Sequence, residues 1–310
     1  MSRSSECAAE MPASARAQNS RAMGRMIRVR RVEGASTSPL AQIIRIGEID
    51  LRVLDQGEGA PVVLLHGFPD RAEEWRHVGE RLRARGRRTI APDLRGFGES
   101  SAPAGRAAYR IDLVLDDLNG LLDTLNVSEP VDVVGHDWGA FAGWTWCFAR
   151  PDRIRRFVAV SVGHPTAYVW AGFEQKRKGT YMLKWQIPRL AEYALSQDGF
   201  RRFRAFLASN PELDQAVADM SRSGRLTAGL NWYRANYFAG VRRRWPHCRV
   251  PTLGIWSSND KYLAEDQMSK SGKYVDADWR YERLDGVGHW IPLEAPDVLA
   301  DLTLEWLDQR

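Results

Sequence analysis

The sequence is poor in cysteine and contains no long apolar run. Its 310 residues include three cysteines, Cys7, Cys147 and Cys248, which are too widely spaced to indicate a disulfide framework or a metal site. No segment approaches the roughly 20 consecutive apolar residues of a membrane-spanning helix. The N-terminus also lacks the apolar core of a secretory signal. These absences favour a reducing compartment, and we expect a cytoplasmic protein without a membrane span.

The positive net charge is concentrated in the first residues. The formal net charge is +5 at pH 7, and residues 1–31 hold seven arginines against two glutamates. The remaining residues therefore sum to zero, which gives no electrostatic basis for nucleic acid binding by the folded part of the chain. Because the leading segment is charged and poor in apolar residues, we expect residues 1–38 to form a disordered basic extension.

After this extension, short β-type runs alternate with helical patterns. This alternation predicts an α/β fold with a mainly parallel, eight-stranded sheet and helices on both faces. Residues 164–246 interrupt it with helical sequence only. We therefore expect a core domain of residues 39–163 and 247–310, and an inserted helical cap (lid) domain of residues 164–246. The predicted strands are 41–46, 49–55, 61–65, 88–91, 131–134, 157–162, 252–256 and 279–284.

Polar side chains suited to catalysis follow several of these strands. The segment GHDWG at 135–139 joins a predicted strand to a helix and places Asp137 between two glycines, as in a nucleophile elbow that carries Asp instead of Ser. Asp also favours helix N-caps, so the motif alone leaves a capping role open. Asp260 and His289 follow two later strands. Because the carboxyl ends of parallel strands meet at one edge of the sheet, we expect these three side chains to converge as nucleophile, acid and base.

Six short motifs carry a resemblance to a known family. They are HGFPD (66–70), DLRGFGES (93–100), VVGHDWGA (133–140), SVGHP (161–165), LNWYRAN (230–236) and GVGHW (286–290). Together they resemble the epoxide hydrolases of the α/β-hydrolase superfamily, and the resemblance spans about residues 40–310. It implies the α/β-hydrolase fold, a small hydrophobic epoxide as substrate, and hydrolysis without a metal or an organic cofactor.

The resemblance also implies roles for five side chains. Asp137 would displace the ring oxygen and form a covalent ester, which water activated by His289 would hydrolyse, with Asp260 orienting the histidine. An Asp has an ordinary pKa of about 3.9, so this nucleophile needs no base. The leaving alkoxide does need an acid. Tyr181 and Tyr233 of the cap, phenols with an ordinary pKa of about 10, would bind and protonate the epoxide oxygen.

Further residues around the nucleophile complete the expected site. The backbone N–H groups of Phe68 and Trp138 would form the oxyanion hole. His136, beside the nucleophile, is interpreted as structural. The side chains expected to line the substrate pocket are His66, Pro69, Trp185 and Trp232.

Three other functions are compatible with parts of the pattern. Haloalkane dehalogenases share HGFP and GHDWG, but Phe68 offers no side-chain donor for a halide, and the cap tyrosines favour an epoxide. A Ser-type esterase is disfavoured because the elbow holds no Ser. A non-enzymatic receptor on the same scaffold would usually have lost a catalytic residue, and none is missing here. The sequence leaves the oligomeric state, monomer or homodimer, open.

Overall fold

The computed structural model describes residues 29–31 and 41–309. The extension predicted for residues 1–38 lies outside the described residues, except for Val29–Arg31. These three residues form a short strand that pairs antiparallel with the strand Ala41–Ile46. That part of the extension is therefore corrected from disordered to paired. The physical reason is that the N–H and C=O groups along the outer edge of Ala41–Ile46 are free to bind another strand.

The described strands form one sheet. In chain order they are β1 (Val29–Arg31), β2 (Ala41–Ile46), β3 (Ile49–Gln56), β4 (Ala60–Leu65), β5 (Arg87–Pro92), β6 (Val131–His136), β7 (Ile154–Val160), β8 (Thr252–Ser257) and β9 (Trp279–Leu284). Their spatial order is β1-β2-β3-β5-β4-β6-β7-β8-β9. The pairs β1–β2, β2–β3 and β3–β5 are antiparallel. The remaining five pairs, from β5–β4 to β8–β9, are parallel. The eight predicted strands are thus confirmed, and β1 adds a ninth at the edge.

Helices connect the strands and form a block between β7 and β8. They are α1 (Arg76–Ala84), α2 (Ile111–Thr124), α3 (Trp138–Ala149), α4 (Pro165–Val169), α5 (Phe173–Lys178), α6 (Thr180–Lys184), α7 (Leu190–Phe206), α8 (Leu213–Ser221), α9 (Arg225–Arg242), α10 (Glu265–Ser269), α11 (Ile291–Glu294) and α12 (Pro296–Leu307). A 3₁₀ turn, Ala72–Trp75, leads into α1. Within α7, residues 198–200 have positive φ, so two helical segments meet there at a kink. Helices α4 to α9 occupy the stretch expected for the cap.

The sheet separates two apolar clusters. Val63 and Leu65 of β4 point into the larger cluster, whereas Val62 and Leu64, the alternate residues of the same strand, point into the smaller one. This division follows from the two-residue period of a strand. The larger cluster continues into the cap, where Leu230 and Trp232 of α9 belong to it. The cap and the sheet therefore share one apolar core, which positions α9 over the carboxyl ends of the strands.

None of the described helices combines the length and the apolar character that crossing a membrane requires.

Candidate active site

Asp137 lies on a tight bend between β6 and α3. Its φ of 50° is in the left-handed region that non-glycine residues rarely adopt, which marks a strained position. The bend depends on Gly139, because a Cβ atom there would lie 2.0 Å from the carbonyl oxygen of Leu65. The Asp137 side chain makes no capping hydrogen bond to α3. The capping alternative is therefore excluded, and the carboxylate is left available to the space above the sheet.

The loop after β4 provides a hydrogen-bond donor to this carboxylate. The backbone N–H of Phe68 donates to Oδ1 of Asp137 over 3.0 Å. Trp138, the second expected donor, is the first residue of α3, and N–H groups in the first turn of a helix have no partner within the helix. The described hydrogen bonds include the one from Phe68 to the carboxylate but none from the Trp138 backbone.

His289 and Asp260 form a buried pair beside Asp137. Nδ1 of His289 lies 2.8 Å from Oδ2 of Asp260, and Nε2 lies 3.8 Å from Oδ2 of Asp137. A carboxylate accepts hydrogen bonds, so the proton is on Nδ1 and Nε2 faces the nucleophile. The distance of 3.8 Å is too long for a direct hydrogen bond. In this arrangement the free Nε2 can act as a base toward a water molecule beside Asp137.

Asp260 is held in its ionised form by the groups around it. Its other oxygen, Oδ1, accepts hydrogen bonds from the backbone N–H groups of Tyr262 at 2.7 Å and Leu263 at 2.9 Å. Burial alone would raise the pKa of Asp260, but the facing His289 and these two donors outweigh it and hold the pKa below its ordinary value. A negative charge at Asp260 fixes the orientation of the His289 ring and would stabilise a positive charge on it.

Tyr181 and Tyr233, from the helices between β7 and β8, line the same cavity as Asp137. Tyr181 lies on α6 and Tyr233 on α9, and their ring centroids are 6.0 Å apart. Burial raises the pKa of both hydroxyls well above the ordinary value, and the nearby Asp137 charge adds to the effect. Both phenols are therefore neutral at physiological pH and able to donate a hydrogen bond. Their position opposite a carboxylate matches an acid that serves a leaving oxygen.

Asp137 and the two tyrosines share one apolar cavity of about 100 Å³, whereas His289 and Asp260 are not among its lining residues. Asp137, Trp138, Tyr181 and Tyr233 all line it. Most of the remaining wall is apolar, which indicates a hydrophobic ligand of modest size. Wall residues that the sequence analysis did not name include Phe141, Val162, Tyr168, Met182, Val241 and Leu263. Their apolar character is typical of core residues as well, so the sequence carried no signal that separated them from the core.

The four residues expected to line the pocket lie outside this lining. His66 is fully buried, accepts a hydrogen bond at Nε2 from the backbone N–H of Leu94, and has a pKa lowered chiefly by burial. Trp232 is also fully buried, and its indole N–H donates to the backbone carbonyl of Arg95.

The other two expected pocket residues also lie away from the cavity wall. Trp185 packs behind Tyr181 and Tyr233, with ring centroids 4.8 and 4.9 Å away. Pro69 borders a separate small gap that is lined mainly by polar residues. In the described part of the chain, these four side chains therefore lie beside the cavity and not on its wall.

Comparison with known proteins defines the class of the chain. The family model described as the alpha/beta hydrolase fold matches residues 60–296. Together with the sheet order and the strand-to-helix elbow, this match shows that the protein is an α/β-hydrolase and a hydrolytic enzyme.

Individual relatives define the family within that class. "Epoxide hydrolase 2" of Siraitia grosvenorii is 41% identical over 302 residues, which cover 84% of this chain and 95% of the relative. "Epoxide hydrolase A" of Mycobacterium tuberculosis is 31% identical over 316 residues, which cover 87% and 98%. The crystal structure of Epoxide Hydrolase A from Mycobacterium thermoresistibile has a TM-score of 0.73 and 29% identity, covering 87% of this chain and 98% of the other. The chain therefore belongs to the epoxide hydrolase family of the α/β-hydrolases.

Proposed function

We propose that the protein converts an epoxide into a vicinal diol through a covalent ester on Asp137. The observation that carries this proposal is the convergence of one carboxylate and two buried phenols, Tyr181 and Tyr233, on a single apolar cavity. A carboxylate can attack a saturated ring carbon, and a phenol can protonate the oxygen that leaves. The relatives named epoxide hydrolases support the same substrate class.

In the first step, Asp137 attacks a ring carbon, and one carbon–oxygen bond of the epoxide breaks as the new ester bond forms. The ring oxygen takes a proton from Tyr181 or Tyr233 and becomes the first hydroxyl of the product. Phe68 donates to Oδ1 of Asp137 at 3.0 Å, which directs Oδ2 toward the substrate. In this scheme Asp137 attacks from the side of the ring opposite the tyrosine hydroxyls, as displacement from behind requires.

In the second step, His289 takes a proton from water through Nε2, and the resulting hydroxide attacks the carbonyl carbon of the Asp137 ester. The charge that develops on the ester oxygen is stabilised by the backbone N–H of Phe68, and Trp138 supplies the second donor in this scheme. Collapse of the intermediate breaks the bond between the acyl carbon and the product oxygen. His289 returns its proton to that oxygen, and Asp137 is released as a carboxylic acid. Its proton returns to the tyrosinate left by the first step, so the diol leaves with the Asp137 carboxylate and the neutral tyrosine regenerated.

A single turnover in water labelled with oxygen-18 tests this scheme. With enzyme in excess over styrene oxide, the diol should contain no label, and the peptide that contains Asp137 should gain one labelled oxygen. The buried carboxylate of Asp260 serves as the internal control and should stay unlabelled. Label in the diol with none in the Asp137 peptide would show direct attack of water on the ring and would exclude the ester.

A second assay separates the proposed substrate class from halides. The haloalkane dehalogenases use the same three catalytic side chains, so 1-bromobutane is the matched competitor of styrene oxide. We expect diol formation from the epoxide without bromide release. Bromide release without diol formation would assign the site to a dehalogenase.

A further inference from the structure

A buried ion pair lies directly behind the nucleophile. Glu74 belongs to the 3₁₀ turn before α1, and His136 immediately precedes Asp137; their exposed fractions are 2% and 0%. Oε1 of Glu74 lies 2.5 Å from Nδ1 of His136. The two groups are not aligned for a regular hydrogen bond, and within residues 41–309 the Glu74 oxygens have no other hydrogen-bond partner. The charge of the His136 ring is therefore what compensates this buried carboxylate.

The opposite edge of the His136 ring contacts the catalytic histidine. Nε2 of His136 lies 2.9 Å from the backbone carbonyl oxygen of His289, which also accepts a hydrogen bond of 3.3 Å from Oγ of Ser161. A carbonyl oxygen only accepts, so Nε2 of His136 carries a proton. The ring centroids of His136 and His289 are 4.8 Å apart. His136 therefore links Glu74 on one side to the backbone that carries the base on the other.

The surroundings of His136 favour its cation. Burial by itself would lower the pKa of His136, but Glu74 foremost, and then Asp137 and Asp70, raise it to about 9. Asp70 is in turn held by the indole N–H of Trp290, 2.8 Å away, on the residue after His289. The titratable groups that face His136 are thus the carboxyl groups of Glu74, Asp137 and Asp70, and the ring of His289. Burial raises the pKa of Asp70 to about 7.

We propose that Glu74 is a positioning residue that acts through His136 on both catalytic steps, an inference that rests on the proposed function. Before ring opening, the His136 cation stabilises the neighbouring Asp137 as an ionised nucleophile. Once Asp137 has become a neutral ester, the same cation opposes protonation of His289 and so keeps the base free. Glu74 and His289 lie at opposite edges of the His136 ring. The charge nearest to His289 is therefore that of His136 and not that of Glu74.

The variant Glu74→Gln tests this role by removing the charge while keeping the shape. Without its counter-ion the buried His136 should become neutral, and the acidic limb of the pH profile for ester hydrolysis should move up by about one pH unit in single-turnover measurements. The matched control is Glu73→Gln, because Glu73 lies in the same turn but pairs with Arg52 and Arg71. The control should keep the wild-type profile. A folded Glu74→Gln variant with a wild-type profile would overturn the proposal.

A second measurement needs no substrate. An NMR titration of the His136 side chain in the free wild-type protein should show a cation at pH 7 that loses its proton near pH 9. A neutral His136 at pH 7 would reject the proposal even if Glu74→Gln failed to fold. Failure of the proposed function is a separate outcome, since it would show as a wild-type protein that forms no diol.

Discussion

The backbone of Phe68 and the side chain of Asp137 are joined by a 3.0 Å hydrogen bond between two loops that are 69 residues apart in the chain. The contact is close because Gly67 lies against the nucleophile: a Cβ atom at Gly67 would be 2.4 Å from Cβ of Asp137. The two loops follow the neighbouring parallel strands β4 and β6, whose carboxyl ends meet at the same edge of the sheet. This contact orients the carboxylate and, under the proposed mechanism, places a donor beside the oxygen of the ester that becomes negative.

Replacement of Asp137 by Asn should abolish turnover of styrene oxide, because an amide is a far weaker nucleophile than a carboxylate. We expect a loss of at least about a thousandfold in kcat, measured as diol formation. The fold should survive, since Asn also tolerates positive φ. Diol formation that persists in a folded Asp137→Asn protein would contradict the assignment of the nucleophile.

Replacement of His289 by Gln should leave ring opening intact and stop ester hydrolysis, because the base that activates water is lost. The expected result is a protein whose mass increases by the mass of the bound epoxide, detected on the intact chain. In the double variant Asp137→Asn/His289→Gln the adduct should disappear. If several reactive epoxides leave the mass of folded His289→Gln unchanged, the two-step scheme is wrong.

Replacement of Tyr233 by Phe should slow ring opening more than ester hydrolysis, because the hydroxyl serves only the leaving oxygen. A loss of about a hundredfold in the alkylation rate constant is expected from the usual contribution of a general acid. Tyr181→Phe should act on the same step. The control is Tyr193→Phe, since Tyr193 is 63% exposed on α7. A variant at Tyr233 that slows hydrolysis alone would remove this residue from the acid role.

Replacement of Gly139 by Ala should destabilise the protein, because the new Cβ would overlap the backbone oxygen of Leu65 at 2.0 Å and the backbone cannot move aside. A loss of roughly 2 kcal/mol or more in the free energy of unfolding is expected from such overpacking. Gly240→Ala in helix α9 is the control, since the nearest atom would be 3.9 Å away. It should be neutral or stabilising by up to about 1 kcal/mol. Equal stability of both variants in urea unfolding would contradict this view of the elbow.

The Glu74–His136 pair should make the free energy of unfolding depend on pH in the alkaline range. The folded-state pKa of His136 is raised to about 9. A raised histidine pKa contributes stability that is fully present below the unfolded-state pKa, about 6.5, and is lost as pH rises through the folded-state value. The difference in unfolding free energy between the wild type and Glu74→Gln should therefore shrink from pH 7 to pH 10. A difference that stays constant over this range would show that His136 does not lose a proton between pH 7 and pH 10.

Local sequence was sufficient for the elbow and for the chain order of the residues proposed to be catalytic. The run of apolar residues before Asp137 and the glycines around it predict a buried strand and a sharp turn, and both are present. Asp260 and His289 could be placed because the carboxyl ends of parallel strands lie on one edge of the sheet. The same reasoning failed for Trp232, since an aromatic residue on a helix carries no mark that separates the core from the cavity wall.

The sequence by itself thus determined the fold class, the family resemblance and the side chains expected to do chemistry, because periodicity and short motifs are properties of neighbouring residues. Only the tertiary structure decided which aromatic rings border the cavity, that β1 pairs with β2, and that Glu74 meets His136. The Glu74–His136 contact and the cavity wall join segments far apart in the chain, and the β1–β2 pairing joins strands that no local pattern marks as partners. Packing of the cap on the sheet and the exclusion of water from buried charges fix them, and neither can be inferred from local pattern.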